Sequence, residues 1–230
     1  MCIAQKYFEA LESLVFPQTC LGCNRVLCGR EISICLHCEC RLPGTLFTGW
    51  DANPVERIFW GRVQLAQATA LFFFHRDSLL QALFHRLKYK NAQKIGWFFG
   101  VQLGYELLIS GRFESIEGLV AVPLHPNREK LRGYNQSHLI CEGVSKVTKW
   151  PILQGLERKV HTASQTDKKR YERWINVGDI FEVIDASNLK NKHILLVDDV
   201  ITTGATLEAS AQELIQKGVR SVSIATVGMA

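Results

Sequence analysis

The sequence predicts an α/β fold, a parallel sheet flanked by helices, with a small cysteine-rich module at its N-terminal end. Three observations predict it. The run Ile194-Leu195-Leu196-Val197 is unbroken and apolar, the pattern of a strand buried on both faces. A helical stretch and a second strand follow it, and a comparable strand-then-helix unit begins at Leu119. Finally, six of the eight cysteines fall between Cys20 and Cys40.

Residues 3–16 read as a helix with Tyr7, Leu11, Leu14 and Val15 on one face, ended by Pro17. The cysteine ribbon then runs to Pro43-Gly44, a boundary signal that divides the chain into units 1–43 and 44–230. Cys20-Leu-Gly-Cys23 and Cys35-Leu-His-Cys38 are two C-x2-C knuckles. In a reducing compartment this spacing argues for metal over disulfides, and tetrahedral zinc takes four thiolates from two such turns. A structural zinc ion would contribute on the order of 10 kcal/mol to folding so small a module. Cys28, His37 and Cys40 compete as substitute ligands, and a redox role for either knuckle is the alternative to metal.

The stretch Gln64 to Phe74 is apolar and aromatic, a sheet-edge strand or a hairpin arm. From Ser78 to Lys90, Leu79, Leu80, Leu83, Phe84 and Leu87 recur at helical spacing; a second helix covers Ala92 to Ile109, with Trp97, Phe98 and Phe99 as core. Leu119 to Pro123 is the next strand, followed by a loop carrying Arg128, Lys130, Arg132 and Gly133 and by a helix from about Asn135 to Lys146. Cations at a strand's carboxyl end suit a pyrophosphate leaving group, whose charge they spread. A solvated basic loop explains the same residues equally well. Residues 160–177 are polar, cationic and without period, which fits an active-site lid bearing Lys168, Lys169, Arg170 and Arg173. A short exposed helix over Tyr171 to Ile175 fits as well.

The strand Ile194 to Val197 ends in Asp198 and Asp199, then Thr202-Thr203-Gly204-Ala205-Thr206 opens a helix whose apolar face is Leu207, Ala211, Leu214 and Ile215. Gly218 closes that helix, and Val222, Ile224 and Thr226 alternate as the following strand. Ligands of such units sit at the carboxyl ends of the strands. Adjacent carboxylates repel, so they suit a vicinal diol or a nearby divalent cation better than a plain turn. The loop offers three hydroxyls, backbone N–H groups and a helix N-terminus, which together cradle a phosphate dianion. One short loop separates the two functions, the span of a ribose 5-phosphate. The alternative is a structural strand-turn-helix with incidental acids. A Walker A loop is not a serious competitor, since no lysine follows the glycine and acids precede it.

This stretch resembles the phosphoribosyl pyrophosphate (PRPP) motif of the type I phosphoribosyltransferases. That resemblance implies that Asp198 and Asp199 hold the ribose 2′- and 3′-hydroxyls and that Thr202, Thr203, Gly204, Ala205 and Thr206 wrap the 5-phosphate of Mg2+-bound PRPP. Further motifs narrow it. Pro123, Arg128 and Arg132-Gly133-Tyr134-Asn135-Gln136 resemble the R-G-F/Y-N-Q signature of the ComF family, and Leu87-Lys88-Tyr89 resembles its L-K-Y. Thr162, Gln165, Arg173, Asn176 and Phe181 follow the same family's lid pattern, with Ala163-Ser164 where prolines are frequent. The paired knuckles match its N-terminal zinc finger, with Cys20, Cys23, Cys35 and Cys38 as ligands. The family implies a type I phosphoribosyltransferase-like sheet and a link to natural competence and DNA uptake. It also implies phosphoribosyl transfer to an unidentified acceptor base, in which Asp198, Asp199, Arg128, Arg132 and Arg173 take part. A non-catalytic competence adaptor or nucleotide sensor is the other expectation. It would bind single-stranded DNA or a competence protein through Lys88, Lys90, Lys94 and the lid cations, with Tyr89 or Trp174 stacking on bases.

Composition is that of a globular protein: 47% hydrophobic and 21% charged residues over 230, with a net charge of +5 that suits phosphorylated ligands or nucleic acid. No apolar run reaches bilayer length and the first residues carry no secretory signal, so the expectation is a cytoplasmic protein without membrane insertion.

Overall fold

The computed structural model describes residues 17–29, 31–89, 92–158 and 181–230. The helix expected over 3–16 and the lid expected over 160–177, Arg173 included, lie outside the described residues. In chain order the helices are α1 (Leu36–Glu39), α2 (Pro54–Ile58), α3 (Leu79–Tyr89), α4 (Gln93–Ser110), α5 (Pro126–Arg132), α6 (Gln136–Thr148) and α7 (Ala205–Gln216). The strands are β1 (Ala68–Phe73), β2 (Gly118–Ala121), β3 (Leu156–Arg158), β4 (Phe181–Val183), β5 (His193–Ile201) and β6 (Ser221–Met229).

Four strands form one parallel sheet in the order β1-β6-β5-β2, and β3 and β4 form a separate antiparallel pair. The apolar run Ile194 to Val197 is fully buried, as a central parallel strand requires. Leu195 and Val197 face one apolar cluster with α3, α4 and α6; Ile194 and Leu196 face the other with α7 and the β3–β4 pair. The segment expected as an edge strand or hairpin arm is the edge strand β1. Its outer side is covered by the boundary residues, where Phe73 N–H donates to Pro43 O at 2.8 Å and Thr45 N–H to Leu71 O at 3.0 Å. That contact satisfies backbone groups an open edge would leave to solvent or to another chain.

The cysteine module shares its apolar contacts with the rest of the chain. Cys20, Ile34, Cys35, Cys38 and Leu42 lie in one cluster with Leu80, Leu83 and Phe84 of α3. Phe98 and Phe99 are buried in that cluster too, whereas Trp97, also expected as core, is half-buried. Helices α4 and α6 touch backbone to backbone. A Cβ on Gly100 would lie 2.1 Å from the Ile140 carbonyl oxygen, and one on Gly143 would lie 2.3 Å from that of Trp97. Only glycine permits this approach, and it brings the N-terminus of α6 against the end of β5.

Two local expectations change. The basic loop after β2 is the helix α5, because Pro126 starts it, His125 Nδ1 accepts the Asn127 N–H at 3.2 Å, and Gly133 ends it at φ +78°. Strand β5 does not end at the acid pair but runs on to Ile201, paired with Met229 of β6. No helix among the described residues is long and apolar enough to cross a membrane.

Candidate functional site

The acid pair sits where the alternation of β5 inverts. Simple alternation would turn Val200 and Val197 to opposite faces, yet both pack against the α3–α4–α6 cluster, while Ile201 joins the other. Each carboxylate braces this irregular backbone: Asp198 Oδ1 accepts the Asp199 N–H at 2.9 Å, and Asp199 Oδ1 accepts the Val200 N–H at 2.7 Å. Two groups from distant elements complete the pair. Ser137 Oγ, in the first turn of α6, donates to Asp198 Oδ1 at 2.9 Å, and Lys88 Nζ, at the end of α3, lies 2.6 Å from Asp199 Oδ2. Burial and the neighbouring Asp199 charge push the Asp198 carboxyl up to about 7, against the opposing pull of the Asp199 N–H, Ser137 and Lys88.

Beyond Ile201 the chain turns into α7. Asp198, Val200, Ile201, Thr202, Thr203, Gly204, Ala205, Thr206 and Leu207 line one cavity of about 50 Å³. Thr202, Thr203 and Thr206 are exposed there, and Gly204 is buried behind them at φ +76°. A Cβ on Gly204 would lie 2.9 Å from Ile58 Cγ2 and 3.1 Å from Phe59 Cε1, so both conformation and packing demand glycine. The orphan N–H groups of the first turn of α7 and its positive dipole end face this turn. Arg62 holds it from outside: its guanidinium donates to Thr203 O at 2.8 Å and pairs with Glu208. Sequence reading missed Arg62 and Ser137, because each meets its partner only across a long chain separation.

The remaining motif residues lie on α5 and at the start of α6. Arg128 is exposed on α5 and close enough to Arg158 for its charge, after burial, to lower that group's pKa. Arg132 Nη1 donates to Gln136 Oε1 at 2.8 Å. Gln136 is 2% exposed, and its Nε2 has no hydrogen-bond partner among the described residues. Asn135 caps α6 by accepting the Ser137 N–H at 3.0 Å and donating to Val122 O at 2.9 Å. The Tyr134 hydroxyl donates to the Leu87 carbonyl. Thus three motifs far apart in sequence, around Lys88, Tyr134 and Asp198-Asp199, meet at one strand end. Lys88, expected as a nucleic-acid contact, is paired with Asp199 in the ligand-free protein. Lys94 is exposed, whereas Lys90 and Trp174 lie outside the described residues.

At the other end of the chain the Sγ atoms of Cys20, Cys23, Cys35 and Cys38 lie within 4.8 Å of one another, with Cys23 and Cys35 3.7 Å apart. Zinc–sulfur bonds of about 2.3 Å in a tetrahedron place sulfurs roughly 3.8 Å apart, so the four thiols fit a zinc ion. Cys20 is prepared as a thiolate. Burial opposes its ionisation, but the N–H groups of Cys35, Cys23 and Gly22 outweigh that and bring its pKa down to about 6. Burial pushes the Cys38 thiol up; a bound metal would reverse that by holding the thiolate. Cys28, His37 and Cys40 are exposed and stand outside the cluster.

Comparisons with known proteins agree with this architecture. The Phosphoribosyl transferase domain family matches residues 156–228. The chain is 36% identical over 100 residues to Competence protein ComFC of Bacillus subtilis, covering 44% of this chain and 39% of that protein. It is 30% identical over 152 residues to DNA utilization protein YhgH of Escherichia coli K12, covering 63% of this chain and 65% of that protein. With Competence protein F of Haemophilus influenzae it shares 33% over 110 residues, 47% of this chain and 48% of that protein. The matched regions thus span between 39% and 65% of these relatives' lengths. The fold is a parallel sheet flanked by helices, whose C-terminal part matches the Phosphoribosyl transferase domain family, with a small N-terminal cysteine module compatible with zinc. By sequence the chain is similar to Competence proteins ComFC and F and to DNA utilization protein YhgH, and its residues 156–228 match the Phosphoribosyl transferase domain family.

Proposed function

We propose that the chain binds PRPP together with Mg2+ and transfers its phosphoribosyl group to an acceptor base with release of pyrophosphate. One observation carries this reading: Asp198 and the Thr202–Thr206 turn line the same small cavity, with Asp199 beside it. Carboxylates accept the ribose diol, while hydroxyls and N–H groups at the N-terminus of α7 take the 5-phosphate. Arg128 and Arg132, at the carboxyl end of β2, take the pyrophosphate, with Arg173 added from the lid segment. Mg2+ would be held by the pyrophosphate oxygens and the acid pair, and it supplies neutralising charge when bound.

The chain's own contribution is position and electrostatics. The C1–O bond to pyrophosphate breaks as C1 gains oxocarbenium character, pyrophosphate departs with the electron pair, and the acceptor's nucleophile bonds to C1. The cysteine module holds zinc in a structural role. Calorimetric titration with PRPP and Mg2+, with ribose 5-phosphate as control, tests the reading; absence of PRPP binding overturns it.

The names of the relatives motivate a role in competence or DNA utilization, in a cytoplasmic setting with DNA-handling partners. On the second reading the domain is a PRPP or nucleotide sensor that binds single-stranded DNA or a competence protein without turnover. A gel-shift with D198N/D199N separates the two. DNA binding that survives in that variant lies outside the PRPP site, and PRPP binding without turnover by any base favours the sensor.

A further inference from the structure

We infer that Lys88 is a pyrophosphate-binding cation that Asp199 holds in the ligand-free protein, so that PRPP exchanges one anionic partner of Lys88 for another. This rests on the reading of the acid pair as a PRPP site. It adds a residue from α3, outside the matched domain at 156–228.

The ion pair is shielded, with side-chain exposures of 27% for Lys88 and 17% for Asp199. Both Asp199 oxygens are engaged: Oδ1 accepts the Val200 N–H at 2.7 Å and Oδ2 meets Lys88 Nζ at 2.6 Å. A ribose hydroxyl that donates to Asp199 therefore competes for an oxygen that also binds Lys88. That competition weakens the hold on the ammonium at the moment an anion arrives at C1. A lysine suits such an exchange, since its flexible stem lets a point charge change partners.

The position of Lys88 selects which anion it meets. The Tyr134 hydroxyl donates to the carbonyl of Leu87, tying the backbone at Lys88 to the turn that carries Arg132. The Lys88 ammonium also lies 5.6 Å from the centre of the Phe84 ring, which steadies the stem from the helix side. The 5-phosphate turn, by contrast, is held by Arg62 through Thr203 O. Lys88 thus stands on the pyrophosphate side of the acid pair. A purely structural role, orienting Asp199, is the competing account.

Ribose 5-phosphate distinguishes them, because it carries the diol and the 5-phosphate but no pyrophosphate. K88M, K88Q and K88R are titrated with Mg2+-PRPP, Mg2+-pyrophosphate and ribose 5-phosphate by calorimetry, after a thermal melt confirms folding. We expect K88M or K88Q to weaken PRPP and pyrophosphate roughly 10- to 100-fold, leaving ribose 5-phosphate within about twofold and K88R near wild type. Equal losses for PRPP and ribose 5-phosphate, or no loss, overturn the assignment while leaving the PRPP site standing. Wild-type protein that binds no PRPP overturns the site itself, and this inference with it.

Discussion

Ser137 Oγ donates to Asp198 Oδ1 across 2.9 Å and joins the first turn of α6 to the end of β5. The hydroxyl is in place because Asn135 caps the helix beneath it and because α6 lies against α4 at Gly100 and Gly143. Packing far from the acids therefore controls their geometry. G100A sets a methyl against the Ile140 carbonyl and must part the helices, at a cost of about 3 kcal/mol. Chemical denaturation measures that loss, and PRPP affinity should fall with it. An unchanged midpoint would mean that the two helices are not in contact.

The acid pair itself is the direct test. Replacing both Asp198 and Asp199 by Asn should abolish binding of PRPP and of ribose 5-phosphate alike while the protein stays folded. Retained affinity for either ligand refutes the diol assignment.

Asp198 also makes stability depend on pH. Burial and the Asp199 charge push its carboxyl up to about 7 in the folded chain, against about 4 for an unfolded aspartate. Because the folded value is the higher one, its contribution to stability is complete below about pH 4 and is lost as pH rises through about 7. D198N lacks this ionisation. In ligand-free protein the unfolding free energy of D198N minus that of wild type should become more positive from pH 5 to pH 8, by on the order of 1–2 kcal/mol. A difference independent of pH would show that Asp198 is not held protonated.

Purified protein should contain about one zinc ion per chain. Serine at Cys20, Cys23, Cys35 or Cys38 should release it, whereas C28S and C40S should retain it. A chelator should lower the melting temperature of wild type, because the metal's binding energy is folding energy for this module. Folded protein without metal defeats the assignment.

The Thr202–Thr206 turn, proposed to hold the 5-phosphate, should respond differently from Lys88. G204A places a side chain at φ +76° and a Cβ within 2.9 Å of Ile58. Strain and displacement of the turn should weaken PRPP and ribose 5-phosphate together, by roughly tenfold for about 1.4 kcal/mol. R62A should act in the same direction and more weakly. Loss of PRPP binding alone would place the 5-phosphate elsewhere.

Much of this was legible along the chain. Burial on both faces writes an unbroken apolar run at Ile194 to Val197, a helix face writes the spacing of Leu79, Leu83 and Leu87, and metal chemistry writes paired C-x2-C knuckles. Each signal is local, carried by neighbours within one element. The misreadings lay at boundaries. Capping by His125, Pro126 and Gly133 turned a basic loop into α5, and carboxylate-to-backbone hydrogen bonds sustain β5 through an inverted alternation at Asp198 and Asp199.

By itself the sequence determined the α/β class, the paired C-x2-C knuckles and the order of acids, hydroxyls and glycine around one turn. Tertiary structure alone decided that Cys28, His37 and Cys40 stand outside the thiol cluster, that Lys88 meets Asp199, that Ser137 meets Asp198 and that Arg62 holds Thr203. The physical reason is that periodicity records how deeply a side chain is buried. Which distant group it meets depends on distances of a few ångströms, and those exist only once helices and sheet have packed.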